Sequence, residues 1–145
     1  MKKPHQIDLR KGRFSQPNRI YHVTTTTINR TPIFTDLKSA RALIRILHSI
    51  PPAHANTLAC VVMPDHLLWL VQLGEQQSLS KLVQSVKSIS AHEIGQPIWQ
   101  QGFYDHALRK DEDIQSVARY IIANPLRAGL VQHIGDYPHW DAVWL

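Results

Sequence analysis

Apolar and polar residues alternate along 19–28, RIYHVTTTTI, with β-branched and aromatic side chains in the majority, so this stretch is a predicted strand. The alternation places Ile20, His22, Thr24 and Thr26 on one face and Tyr21, Val23, Thr25 and Thr27 on the other. Residues 29–35 form a loop around Pro32. At Asp36, a helix-capping residue, the period changes: Leu37, Ala40, Leu43, Ile44 and Leu47 predict a helix to about His48, which Pro51 and Pro52 prevent from continuing. Two apolar runs follow, 57–63 and 66–73, separated by Pro64 and Asp65. They read as two buried strands joined by a tight turn and closed off by Gly74. A second helix over 78–94 carries Leu79, Leu82, Val83, Val86 and Ile89 as its apolar stripe, with Ser80, Lys81, Gln84, Lys87 and Ser88 opposite. Gly95 and Pro97 break the chain. Residues 99–108, WQQGFYDHAL, read as a loop and a fourth strand. Asp111, Glu112 and Asp113 open a third helix, where acidic side chains suit the positive end of the dipole. It runs to about Ala123, and Asn124-Pro125 ends or kinks it. Tyr137, Trp140 and Trp144 in the tail are expected to pack back on the body.

The order strand, helix, strand, strand, helix, strand, helix predicts an α+β fold: a ferredoxin-like βαββαβ antiparallel sheet with an added C-terminal helix that carries Tyr120. Residues 19–145 form the domain, behind a basic arm over 1–18. With both early helices on one face, the other face of the sheet is expected to be open. The first and third strands are central in this topology. His22 and His66 are therefore expected as near neighbours on the open face, with His106 on the fourth strand bordering the first from the other side.

At 145 residues the chain can bury a proper core without staples. Its one cysteine, Cys60, excludes a disulfide within the chain and suits a reducing cytosol. The opening MKKPHQIDLRKGRF lacks the apolar segment of a signal peptide, and no apolar run is long enough to cross a membrane. A cytoplasmic, nucleoid-associated location is the expectation. The net charge of +5 and pI of about 9.6 point to a polyanionic partner. The arm sets Lys2, Lys3, Arg10, Lys11 and Arg13 against Asp8 alone, as a phosphate clamp or as a solvated tail.

Tyrosine can attack a phosphodiester and hold it as phosphotyrosine, but with a pKa near 10 its hydroxyl needs activation. A divalent cation polarising the phosphate oxygens supplies such help, and imidazole and amide oxygen can hold one. Tyr120 and Asn124 lie four apart on one helical face, and His66 adds an imidazole from the mouth of a strand. Together they suggest a sheet-plus-helix site for cutting and rejoining single-stranded DNA. Taken singly, His66 reads as a hydrogen-bonded turn histidine, Tyr120 as a core or rim aromatic, Arg119 and Arg127 as surface charges, and His106 beside Asp105 as a solvent-exposed pair.

Six segments in order, RIYHVTTTT, NRTPIF, VVMPDHLLWL, SLSKLVQSVKS, WQQGFYDHALR and ARYIIANPLRAGLV, resemble the REP-associated tyrosine transposases. These are single-tyrosine HUH endonucleases related to small insertion-sequence transposases. The resemblance implies Tyr120 as nucleophile, His66 as the first histidine of the HUH pair, and Asn124 as a polar metal ligand one turn after the tyrosine. It implies Mg²⁺ or Mn²⁺, a 5′-phosphotyrosine intermediate with a free 3′-OH, and recognition of palindromic DNA hairpins with a single-stranded flank, by a monomer or homodimer. The chain departs from the pattern at Leu68, where the second histidine belongs; His22 and His106 are candidates for the missing ligand. Lys81 and Lys87 are expected on phosphates, with Arg109, Arg119 and Arg127 nearer the cut and Lys11 and Arg13 adding from the arm. Two further readings are a catalytically silent hairpin-binding protein and an RNA-binding module using the open sheet face.

Overall fold

The computed structural model describes residues 15–144. Of the basic arm, residues 1–14, including Lys11 and Arg13, lie outside the described part. Residues 15–18 already touch the body: the Asn18 N–H reaches the Leu73 carbonyl, and Ser15 Oγ accepts from the Leu79 N–H at 3.0 Å. Strand β1 is Ile20–Thr26, and burial alternates along it as the pattern predicts. Helix α1 is Leu37–His48, with the Asp36 carboxylate accepting from the Ser39 N–H. Strands β2, Ala55–Met63, and β3, His66–Leu73, form the hairpin across Pro64-Asp65. Gly74 closes it against backbone; a Cβ there would sit 2.2 Å from the Ala53 carbonyl oxygen. Helix α2 is Leu79–Ile94, capped by the Ser78 side chain and ended by Gly95 at φ 93°, a left-handed conformation open to glycine. Strand β4, Tyr104–Ala107, precedes helix α3, Ile114–Ile122, whose cap is Asp113. Across Ala123 the chain enters a single turn, α4, Asn124–Arg127, with Pro125 in its first turn. A last strand, β5, is Trp140–Ala142.

The strands form one antiparallel sheet in the order β4-β1-β3-β2-β5, so β1 and β3 are central as expected. This is the α+β arrangement read from the sequence, with one strand more. Sequence reasoning missed β5 because its three residues carry no alternation to detect. It is fastened instead by specific bonds: the buried Tyr137 hydroxyl donates to the Val62 carbonyl at 2.6 Å, and the Val62 N–H donates to the His139 carbonyl at 2.9 Å. Burial pushes the Tyr137 phenol up to about 12.

Two cores flank the sheet. On one face α1 and α2 pack Leu43, Leu47, Leu82 and Val83 against Val23, Leu67 and Trp69. On the other, Ala118 and Ile121 of α3 pack with Val61, Met63, Leu68 and Leu70, joined by Tyr137 and Ala142. The expectation of an open second face is therefore corrected: α3 covers part of it. The physical reason was present in β2 and β3. Their apolar runs are continuous rather than alternating, which is the pattern of strands buried on both sides. No helix among the described residues is long and apolar enough to cross a membrane.

The Tyr137 bond gives a direct test of how the tail is held. Tyr137→Phe keeps the ring and removes the donor to Val62, and is expected to cost about 1–2 kcal/mol in urea unfolding without changing the slope of the transition.

Candidate functional site

The turn that presents His66 is gripped by residues 27–34. Thr27 donates to the Asp65 carbonyl from its N–H at 3.0 Å, its hydroxyl proton lies between the Thr31 carbonyl at 2.8 Å and the Asp65 carbonyl at 3.1 Å, and the Phe34 N–H donates to the Pro64 carbonyl at 3.0 Å. Arg30 Nε donates to Asp65 Oδ2 at 2.9 Å. Asn29 and Arg30 both take left-handed backbone angles, φ 54° and 56°, to bring that guanidinium over the turn. His66 Nδ1 lies 2.7 Å from Asp65 Oδ1, with the imidazole 16% exposed. Burial pushes the Asp65 carboxyl up, but hydrogen bonds from His66 and Arg30, reinforced by their charge, outweigh it and hold the group below the usual carboxylate value. Sequence reasoning took Asp65 for a turn residue and passed over Arg30. The available signal was an acid immediately before the candidate histidine.

On the same face Thr26 lies opposite His66 and Leu68 opposite Thr24. Leu68 is buried in the second core. His22 falls opposite Leu70, four residues along β1 from Thr26, so it is roughly 13 Å down the strand from His66. Its partner on the other side is His106. The expected neighbourhood of His22 and His66 is thus corrected by register: the two share a face without being close. His106 Nε2 in turn contacts the Glu112 carboxylate at 3.0 Å. Among the described residues no group of three His, Cys, Asp or Glu is placed to hold a metal ion. His66 retains one ring nitrogen beyond its bond to Asp65, Leu68 has no donor atom, and His22 and His106 stand elsewhere. His66 and the Asn124 amide are left as the donors that would hold a cation, with no cluster of three His, Cys, Asp or Glu among the described residues.

Tyr120 projects from α3 with 63% of its surface exposed, although Ala118 and Ile121 beside it are buried. The Arg127 guanidinium lies over its ring, 3.8 Å from the centroid, brought there by the α4 turn. Asn124 is half-buried at the break between the two helices. Arg119 bonds within its own helix, to Ser116 Oγ at 3.2 Å and near Asp113 at 3.9 Å. Arg109 is paired with Asp111 and Glu112 at 3.5 and 3.8 Å. Lys81 is exposed on α2. Lys87 differs from expectation: its ammonium donates to the carbonyls of Gln100, at 2.9 Å, and Gly102. It braces the 97–103 loop beside a cleft of about 600 Å³ that Trp99 and Phe103 also line. The arrangement supplies an exposed phenol with a cation on its ring and donors suited to phosphate.

His22 carries a pH dependence. Burial, then the charge of His106, lowers the His22 pKa below its ordinary 6.5. Its neutral form is favoured in the fold, so the penalty is absent above 6.5 and grows as pH falls from there to the lowered folded value. His139, lowered by burial and by Arg41, acts in the same direction. His22→Gln is expected to lose less melting temperature than the wild type between about pH 7.5 and about pH 5.5. An equal loss in both proteins would show that His22 does not contribute.

The family described as "Transposase IS200 like" matches residues 15–124, which span the whole of β1 through α3 and include both His66 and Tyr120. A REP-associated tyrosine transposase of Escherichia coli (strain K12) is 32% identical over 83 residues, 55% of this chain and 50% of its own. A relative in Haemophilus influenzae is 29% identical over 102 residues, 58% of this chain and 57% of its own. This chain spans about half the length of the curated relatives it matches. The solved structure of a REP-associated tyrosine transposase bound to a REP hairpin superposes with a TM-score of 0.73 at 26% identity, covering 88% of this chain and 79% of that one. With the family match extending over sheet, helices and tyrosine alike, this chain belongs to the IS200-like transposases.

Proposed function

We propose that this chain is a sequence-specific DNA-binding strand transferase that cuts and rejoins single-stranded DNA at palindromic hairpins. The observation that carries the reading is the exposed Tyr120 phenol under the Arg127 guanidinium, on the helix packed over the face that bears His66. In the proposed step Tyr120 Oη attacks phosphorus and the P–O3′ bond breaks. The phenol proton passes to solvent, the departing 3′ oxygen takes one up, and the 5′ phosphate stays on the tyrosine. Rejoining is the reverse attack by a 3′-OH. Arg127 is poised to donate to the phosphate, and Lys81, Arg109, Arg119 and the arm residues Lys11 and Arg13 would hold the flanking backbone. The DNA-hairpin partner is proposed from the relative solved on a REP hairpin.

A silent hairpin-binding protein is the second reading, favoured by Leu68, which fills the place of a ligand with a core contact. The RNA reading loses its platform, since α3 covers part of the sheet face it needs. Dependence on Mg²⁺ or Mn²⁺ belongs to the first reading as a proposal, with His66 and Asn124 as the residues that would hold the ion.

Incubation with Mn²⁺ and a labelled hairpin bearing its flank is expected to give a covalent adduct on a denaturing gel. Tyr120→Phe is expected to abolish the adduct and keep the gel shift. An adduct that survives the substitution overturns the nucleophile assignment, and a shift without any adduct in the wild type selects the silent binder.

Leu68→His tests the cation separately. It costs stability by placing a polar ring in the second core, about 1–3 kcal/mol. Mn²⁺ is nonetheless expected to raise the melting temperature of this variant more than that of the wild type. Equal shifts would mean that position 68 does not limit ion binding.

A further inference from the structure

We propose that Asp65 is a positioning residue for His66, holding the imidazole in the Nδ1–H tautomer with Nε2 left bare, and that Arg30 anchors Asp65 in that task. What Nε2 meets rests on the strand-transfer reading; the tautomer itself does not. An ionised carboxylate only accepts hydrogen bonds, so the 2.7 Å contact requires a proton on His66 Nδ1. In the neutral ring the other nitrogen then carries the lone pair. Free imidazole side chains favour the opposite tautomer, which would present an N–H at Nε2 in place of a lone pair.

The carboxylate is itself fixed. Arg30 occupies its second oxygen at 2.9 Å, and the Thr27 N–H holds its backbone carbonyl at 3.0 Å. Arg30 reaches it from a segment in which Asn29 and Arg30 are both left-handed. Such angles are uncommon in residues with a Cβ, least so in Asn, and persist where surrounding contacts determine them. Here those contacts are the Arg30 N–H to the Thr27 carbonyl at 3.1 Å, the Thr31 N–H to the Ile28 carbonyl at 3.0 Å, and the Phe34 N–H to the Pro64 carbonyl. The left-handed pair serves to place one guanidinium on one carboxylate. With leucine at 68 there is no second ring to make up for a wrong tautomer, so the arrangement weighs more here than at a two-histidine site.

The tautomer can be read without any substrate. In ¹⁵N-labelled protein above about pH 7.5, His66, assigned by its loss in His66→Gln, is expected to show a protonated Nδ1 and a bare Nε2. Asp65→Ala is expected to move the ring toward the Nε2–H form. On the strand-transfer reading, with His66 as a ligand, it should lower adduct formation about 10–100-fold, the size of effect carried by outer partners of a metal-ligating histidine, while leaving hairpin affinity within about twofold. Arg30→Ala should give a smaller loss in the same direction. A wild-type ring already protonated at Nε2 overturns the proposal, as does an Asp65→Ala protein with unchanged tautomer and adduct rate. A parallel loss of affinity and adduct in Asp65→Ala would mark a merely structural turn residue and also overturn it. Should the wild type give no adduct while the tautomer shifts as expected, positioning stands and the strand-transfer reading fails.

Discussion

One carboxylate ties together the segments that present His66. Asp65 receives Arg30 on one oxygen and His66 on the other, while its carbonyl accepts from the Thr27 N–H. The segment after β1, the β2–β3 turn and the first residue of β3 are thereby joined at a single side chain. Charge-assisted bonds of this kind are about twice as strong as neutral ones, and the Asp65 side chain is 25% exposed, so water competes only partly. The sheet supplies the platform, but this contact decides how the imidazole stands on it.

Much of the fold was legible because its signals are local. Asp36, Ser78 and Asp113 cap the helices that follow them, and Gly95 stops α2 with the backbone angle only glycine takes freely. The β2–β3 hairpin was readable from Pro64-Asp65 between two apolar runs. What local pattern could not settle was which element covers which face. The apolar stripe of α3 says that the helix is buried on one side, not against what. That depends on contacts between Ile121 and residues more than fifty positions earlier, such as Leu68 and Leu70. Strand register is non-local in the same way. His22 and His66 share a face by parity, but their separation follows from the offset at which β1 meets β3.

Within the candidate site, Tyr120 and His66 were singled out by resemblance to a family motif, whereas the side chains that contact them, Arg127 and Asp65, were not linked to them in advance. Leu68 takes on a second meaning once its surroundings are known. It is not simply an absent ligand, because its side chain helps seat α3 on the sheet. Burying a leucine is worth about 1.5–3 kcal/mol, so the position now supports packing where a histidine would bring a polar ring. Lys87 shows the converse. A lysine on an exposed-looking helix face proved to be occupied by loop carbonyls, which no helical wheel reveals.

The stacking of Arg127 on Tyr120 has a consequence for residue choice. A guanidinium uses its flat face against a ring and keeps its N–H groups around the rim, in the plane, where a tetrahedral anion can take two at once. Ring contact and anion capture then coexist on one side chain. An ammonium offers no such division of labour, so arginine and lysine at position 127 are different tools despite equal charge.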